Sequence, residues 1–163
     1  GKDFCYRTDS YAKTYALVKP ENRNIRFSPA LPHGHIFDRP PEIEIFIDHH
    51  LNNGTPLAKI IFLKVGVQRV TARVETAGQL IAAKLYYTTD SHMGLTSYDK
   101  SKGGREWETN RTWVERPASL VLDSIVAERP PRDATAWFLT VTDERNLLVS
   151  SPIVLAEKKD HNI

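Results

Sequence analysis

The stretch QRVTARVET, residues 68–76, alternates apolar and polar side chains one by one. Val70, Ala72 and Val74 would lie on one side of an extended chain, because successive side chains of a β-strand point to opposite faces. Such alternation is typical of an antiparallel strand that buries one face and exposes the other to solvent. The stretch therefore predicts a half-buried antiparallel strand, and similar runs follow along the rest of the chain.

Seven strand-like runs, bounded by turn residues, lie beyond Asn53. Trp137, Leu139 and Val141 alternate as the first run does, and Leu120 and Leu122 also alternate before a shift at Ile125. About seven strands in about 105 residues predict an immunoglobulin-like antiparallel β-sandwich over residues 53–163. The runs are LAKIIFLKV (57–65), QRVTARVET (68–76), LIAAKLYYTT (80–89), REWETNRTWVER (105–116), ASLVLDSIVAE (118–128), ATAWFLTVTD (134–143) and LLVSSPIVL (147–155).

The first 52 residues have a different pattern, of helix, strand and helix. YAKTYALV (11–18) follows residues that favour a helix N-cap, and NIRFS (24–28) is typical of a short strand. A second helix is predicted from Pro40 and Pro41, since proline suits a first helical turn. Two helices and one strand are too few to fold alone. Residues 1–52 are therefore predicted to be the short α/β end of a larger unit, or to pack on the sandwich.

The second helix carries apolar residues at helical spacing. Ile43, Phe46, Ile47 and Leu51 fall at i, i+3, i+4 and i+8, which predicts one buried face. If most of the sheet that this face would cover is absent, the face needs another partner. We expect a homo-oligomer built through residues 1–52, or contact with a missing hydrolase portion.

Composition and charge argue against nucleic-acid binding, a membrane span and a cysteine-based metal site. The 22 basic residues are nearly matched by 20 acidic ones, so charge gives no case for nucleic-acid binding. No apolar run approaches the roughly 18 residues that a membrane span requires. The single cysteine, Cys5, excludes an internal disulfide and a cysteine-based zinc site. We expect no cofactor and no bound metal.

Two motifs in residues 1–52 carry a resemblance to a known family. GKDF (1–4) and the spaced motif PHGH…PPEI…FIDHHL (32–51) resemble the C-terminal end of bacterial dienelactone-hydrolase-like and acetyl-xylan-esterase-like α/β-hydrolases. In that family the first motif carries the acid of a catalytic triad and the second carries the histidine. Such hydrolases often carry an appended β-sandwich, and AWFLTVTDERNLLVSSPIV (136–154) is similar to those appendages. The resemblance implies a bacterial esterase or related acyl hydrolase, with a periplasmic or secreted location as the expectation.

The resemblance assigns roles to three residues. Asp3 matches the acid that orients the imidazole, and His33 or His35 matches the general base. His33 is favoured because it comes first after the strand and because Gly34 matches the His-Gly corner of hydrolases. In this chemistry the carboxylate fixes the tautomer of the imidazole, which leaves the other ring nitrogen free to take the serine proton.

The nucleophile of such a triad is missing. The chain contains no G-x-S-x-G motif, and Ser91, Ser97 and Ser101 lack the strand-turn-helix context that exposes a catalytic serine. Removing the nucleophile costs about a factor of 10⁶ in rate. We therefore expect a non-catalytic C-terminal fragment in which Asp3, His33 and His35 are vestigial or depend on a nucleophile from elsewhere.

Two other interpretations stay open. His49 and His50 could suggest a metal site, but neighbouring helical residues diverge by about 100°, which favours a solvated helix end. Exposed aromatic residues on a sandwich can stack on sugar rings, so a carbohydrate-binding or adhesion module is the alternative function. Trp137 and one of Tyr86 and Tyr87 are predicted to be core. Trp107 and Trp113, which flank the polar loop, are freer to bind a sugar.

Overall fold

The computed structural model describes residues 8–29, 40–90, 98–99, 104–105 and 112–156. In these residues the chain is mainly β, with two α-helices ahead of the first strand. The helices are α1 (Thr8–Leu17) and α2 (Pro41–Asn52), with a short 3-10 helix at Pro20–Asn22 between them. The strands are β1 (Lys59–Val65), β2 (Arg69–Glu75), β3 (Leu80–Thr88), β4 (Tyr98–Asp99), β5 (Gly104–Arg105), β6 (Val114–Val121), β7 (Ser124–Glu128), β8 (Ala136–Asp143), β9 (Leu148–Ser150) and β10 (Val154–Leu155).

Eight of the strands form one antiparallel sheet. Its order is β1-β2-β7-β6-β3-β8-β10, with β9 also paired to β8, while β4 and β5 pair only with each other. Strand β6 joins the two halves, because residues 114–118 pair with β3 and residues 119–121 pair with β7. The sheet curls until β9 contacts β1, which makes it barrel-like and nearly closed. The predicted mainly antiparallel β architecture is confirmed, whereas a division into the two sheets of a sandwich is not.

The main hydrophobic core fills the inside of the curled sheet. Val70, Ala72 and Val74 of β2 all lie there, as the alternation in QRVTARVET predicts. Leu139 and Val141 of β8 face the same interior and are fully buried. Burying a large aliphatic side chain contributes about 1.5–3 kcal/mol, so these alternating positions supply the main driving force for the fold.

Two of the predicted strands are each divided in the structure. ASLVLDSIVAE (118–128) forms the β6–β7 hairpin, and its turn is Leu122 and Asp123. LLVSSPIVL (147–155) is split into β9 and β10 around Pro152, which has no N–H to donate to a ladder. At this interruption the Ser151 hydroxyl accepts a hydrogen bond from Leu139 N at 3.0 Å. Ser151 N also donates to Leu139 O at 2.8 Å, so Ser151 continues the pairing with β8 through both its backbone and its side chain.

Leu122 has an unfavourable backbone conformation in the β6–β7 turn. Its φ is 54° and its side chain is 93% exposed, so no packing offsets the cost of a left-handed conformation. Non-glycine residues in that region cost about 1–3 kcal/mol. We expect Leu122→Gly to raise the free energy of unfolding by about 0.5–1 kcal/mol in urea titrations. The neighbouring Val121→Gly lies in a strand and should lower it; equal effects of the two changes would contradict the strain argument.

The segment NIRFS (24–28) is extended but does not form a regular strand. Ile25 O accepts a hydrogen bond from Ser150 N at 2.8 Å, and Phe27 N donates to the Ser150 hydroxyl at 2.9 Å. The second of these bonds goes to a side chain, so the pairing is not a backbone ladder. The predicted strand is therefore wrong in form, although the segment does lie along β9.

The predicted buried face of α2 is wrong for three of its four residues. Ile43, Ile47 and Leu51 are 51%, 49% and 76% exposed. Phe46 packs against the main core, together with Ile45. The helix has apolar residues on two nearly opposite faces, and the face that also carries Glu42 lies against the sheet because Glu42 hydrogen-bonds to β9.

The division of the chain into residues 1–52 and 53–163 stays a prediction. Neither described helix has the length and apolar content needed to cross a membrane.

Candidate functional site

The residues assigned to the triad remnant are not in the described part of the chain. Asp3, His33 and His35 all lie outside the described residues, as do Ser91, Ser97 and Ser101. Whether Asp3 approaches either imidazole therefore stays a prediction. The described residues instead bring their polar groups together where the N-terminal segment meets strands β8 and β9. We call this region, formed by residues 23–28 and α2 on one side and β8–β9 on the other, the junction.

Glu42 is the central residue of the junction. It lies in the first turn of α2 and is only 6% exposed. Its Oε1 accepts a hydrogen bond from Leu148 N of β9 at 2.7 Å, and its Oε2 accepts one from Arg26 Nη1 at 2.6 Å. Hydrogen bonds to an ionised carboxylate are short and strong. Glu42 therefore ties α2, the extended segment and β9 together with one side chain.

A small aromatic cluster covers the outer face of β8. Phe138 points away from the main core and contacts Phe27, with ring centroids 5.1 Å apart. Tyr86 stacks on Phe138 at 5.3 Å, and Trp113 meets it edge to face at 5.2 Å. Because this second cluster lies outside the sheet, β8 is buried on both faces. Residues 23–28 are thus packed on the outer face of the sheet.

The sugar-binding interpretation finds little support in these contacts. Trp137 is buried in the main core, and so is Tyr87, as predicted. The rings of Tyr86 and Trp113 both contact the Phe138 ring, Tyr86 by stacking and Trp113 edge to face. Trp107 lies outside the described residues. No described tryptophan or β3 tyrosine therefore presents an open platform for a sugar ring.

His49 and His50 cap the end of α2. Nδ1 of His49 lies 2.8 Å from Gly54 O, and Nδ1 of His50 lies 2.8 Å from Phe46 O. Since a carbonyl oxygen can only accept, both imidazoles donate through Nδ1 and leave Nε2 free. The described residues contain no group of three or more metal-ligating side chains. The arrangement agrees with the helix-end interpretation of the two histidines.

A cavity of about 280 Å³ opens beside these histidines. Its two cations already have partners: Arg23 Nη1 donates to Tyr15 O at 2.7 Å, and Lys59 Nζ donates to Pro20 O. The Lys59 bond holds the turn after α1 against the start of β1, and the Arg23 bond holds the end of that turn against α1. The Arg23 guanidinium also stacks on Tyr15 at 4.3 Å from the ring centroid. The cavity is therefore lined by groups that hold the fold, and it shows no constellation for catalysis.

A polar triad of Lys84, Tyr86 and Glu115 lies across β3 and β6. Lys84 Nζ is 2.7 Å from Glu115, and Tyr86 donates to Glu115 at 2.6 Å. The hydrogen bond from Lys84 holds the pKa of Glu115 below its ordinary range, and Tyr86 adds to this effect. Burial, followed by the hydrogen bond to Glu115, raises the pKa of Tyr86 above its ordinary value. The Tyr86 hydroxyl therefore stays neutral and donates its hydrogen bond to Glu115, while the Tyr86 ring belongs to the aromatic cluster.

The importance of Glu42 was missed by sequence reasoning. An acidic side chain in a first helical turn indicates only a favourable interaction with the helix dipole. A second signal was present, because Glu42, Ile45, Phe46 and His49 fall at i, i+3, i+4 and i+7. That row lies on a different face of the helix from the row of Ile43, Ile47 and Leu51, so the pattern alone does not show which row is buried. A buried carboxylate also needs hydrogen-bond partners, and the sequence does not reveal them.

Comparisons of the chain with protein-family models, with curated proteins and with solved structures gave no match.

Proposed function

We propose that this chain is the non-catalytic C-terminal portion of a hydrolase-like protein, of esterase or related acyl-hydrolase type. In this proposal the β-region is an immunoglobulin-like sandwich that acts as an accessory and interaction module. The motifs in GKDF (1–4) and PHGH…PPEI…FIDHHL (32–51) support the hydrolase-like origin by resemblance. The order of the strands is compatible with the sandwich, with β6 as a strand shared between two sheets.

The junction is the observation that carries the proposal. The N-terminal segment, in which the resemblance lies, is attached to the β-region by Glu42 and by the two hydrogen bonds to Ser150. Phe27 is 7% exposed and packs on Phe138, so the attachment is apolar as well as polar. An accessory sandwich needs such a rigid connection if it is to position another part of the protein.

The non-catalytic character is supported by how the described serines and histidines are used. The hydroxyls of Ser150 and Ser151 accept hydrogen bonds from the backbone of Phe27 and Leu139. His49 and His50 donate to backbone carbonyls. In the described part of the chain no serine hydroxyl is paired with an imidazole, the pairing that activates the nucleophile of a Ser-His hydrolase.

We expect the purified chain to hydrolyse short p-nitrophenyl esters no faster than buffer. A serine-directed fluorophosphonate should likewise leave it unlabelled, as intact-mass spectrometry would show. An active serine esterase run in parallel is the control for both assays. Stoichiometric labelling of any serine in this chain would contradict the proposal, because it would reveal an activated nucleophile.

The predicted homo-oligomer through residues 1–52 stays part of the proposal. The row of Ile43, Ile47 and Leu51 is exposed, although the opposite face of α2 is packed. We expect sedimentation equilibrium at micromolar concentration to show a dimer or higher oligomer that Ile47→Glu dissociates. Ile61→Glu, at a β1 position that is 40% exposed, is the matched control and should leave the assembly intact. A wild-type monomer under these conditions would rule out the oligomer.

A further inference from the structure

A large concave surface of the described residues lies on the outside of the sheet. We call it the arginine groove. It has a volume of about 870 Å³ and is bordered by the β1–β2 turn, β6, β7 and the segment after β7. This volume falls in the range of protein ligand sites. Neither the junction nor the triad remnant involves any of its residues.

The floor of the arginine groove is aliphatic. Pro117, Val121 and Val126 lie on neighbouring strands, and Val67 stands at one end with 86% of its surface exposed. Val121 is 54% exposed, so the floor is open to a ligand. No aromatic side chain of the described residues lines the groove. A sugar ring would therefore find no stacking surface here, whereas aliphatic side chains of a peptide would find apolar contact.

The rim of the arginine groove is cationic. Arg69, Arg129 and Arg132 are exposed and line it. Among the described residues the guanidinium groups of Arg69 and Arg132 have no hydrogen-bond or ion-pair partner, while Arg129 Nη1 donates to Gly66 O at 3.3 Å. The one acid in the lining, Glu128, lies 3.3 Å from Arg116 and opposite Arg69 in the β2–β7 ladder. The lining thus carries three arginines against one carboxylate.

We propose that the arginine groove binds an extended acidic segment of a partner polypeptide, with aliphatic side chains between its carboxylates. Arginine is suited to bind carboxylates through paired hydrogen bonds, and the aliphatic floor fits the side chains that alternate with them. The overall balance of 22 basic and 20 acidic residues makes this a local site and not a general polyanion surface. The inference rests on the proposed role as an interaction module and names the chemistry of the partner.

The test is fluorescence anisotropy with a short fluorescein-labelled peptide of alternating Glu and Val. We expect saturable binding that weakens with salt and is absent for the matched Gln-Val peptide. The double variant Arg69→Gln/Arg132→Gln should weaken binding about tenfold or more. The control Lys64→Gln/Arg73→Gln removes two exposed cations from neighbouring positions outside the groove, and should change affinity less than about twofold. Melting curves check that both variants remain folded.

Several outcomes would overturn the inference. These are no binding of the Glu-Val peptide, equal binding of the Gln-Val peptide, or equal losses in the two double variants. Tighter binding of oligothymidylate or dextran sulfate than of the peptide would assign the groove to a nucleic acid or an acidic glycan instead. The ester and fluorophosphonate assays are independent of all these measurements. A failure of the groove is therefore distinguishable from a failure of the proposed function.

Discussion

Asp143→Ala should lower the free energy of unfolding by about 3–5 kcal/mol. Asp143 is fully buried at the end of β8, and its carboxylate accepts hydrogen bonds from the backbone N–H groups of Arg145 and Leu147. It also receives Nε and Nη2 of Arg145 at 2.9 and 2.7 Å. Alanine would leave the buried Leu147 N–H and the partly buried guanidinium without these acceptors.

The effect extends beyond the turn because Arg145 reaches a second segment. Its Nη2 donates to Pro56 O at 2.8 Å, just ahead of β1. Asp143 thus holds the arginine that links β8 and β9 to the start of the sheet, where the barrel-like fold nearly closes. Losing the carboxylate should loosen this closure as well as the turn.

Urea unfolding followed by circular dichroism would measure the effect. Asp123→Ala is the matched control, since Asp123 occupies the exposed β6–β7 turn and should change stability by less than about 0.5 kcal/mol. Asp143→Asn keeps one oxygen for the two backbone donors, so we expect an intermediate loss. Equal losses for Asp143→Ala and Asp123→Ala would show that the buried carboxylate contributes nothing beyond an ordinary turn residue.

The β-region was largely predictable because its signal is local. Alternation at Val70, Ala72 and Val74 depends only on the two-residue period of a strand, and it was correct. The hairpin at Leu122 was missed because a leucine at positive φ carries no turn signal. The joining of the two halves of the sheet through β6 was not predictable either. It depends on which strands pair over long distances, and no local pattern encodes that choice.

The N-terminal segment was harder to predict because its conformation depends on the sheet that covers it. The spacing of Ile43, Ile47 and Leu51 was a valid helical signal, but a helix with two apolar faces does not reveal which face is buried. Which face is buried depends on the hydrogen bond between Glu42 and Leu148, two residues that are separated by most of the chain. For Asp3, His33 and His35 the prediction is by resemblance alone, and the structure does not describe them.

Glu42→Ala should lower the stability of the junction by about 2–4 kcal/mol. The change leaves Leu148 N and Arg26 Nη1 without their acceptors. It also removes a buried side chain that links α2 to both of these residues. Glu42→Gln keeps one oxygen for Leu148 N and loses the ion pair, so about half of the effect is expected. Glu44→Ala is the matched control, because Glu44 lies in the same helical turn but is exposed.

We expect the junction to open before the sheet unfolds, so the measurement has to separate the two events. Amide hydrogen exchange distinguishes the two events. Exchange of the α2 amides reports opening of the junction, and exchange of the Leu139 amide in the core of β8 reports unfolding of the whole fold. We expect Glu42→Ala to speed exchange across α2 far more than at Leu139, and Glu44→Ala to change neither. Equal acceleration at both places would mean that the N-terminal segment and the sheet unfold as one unit. In that case the segment is an integral layer of the β-fold, and the division of the chain at residue 52 would have to be abandoned.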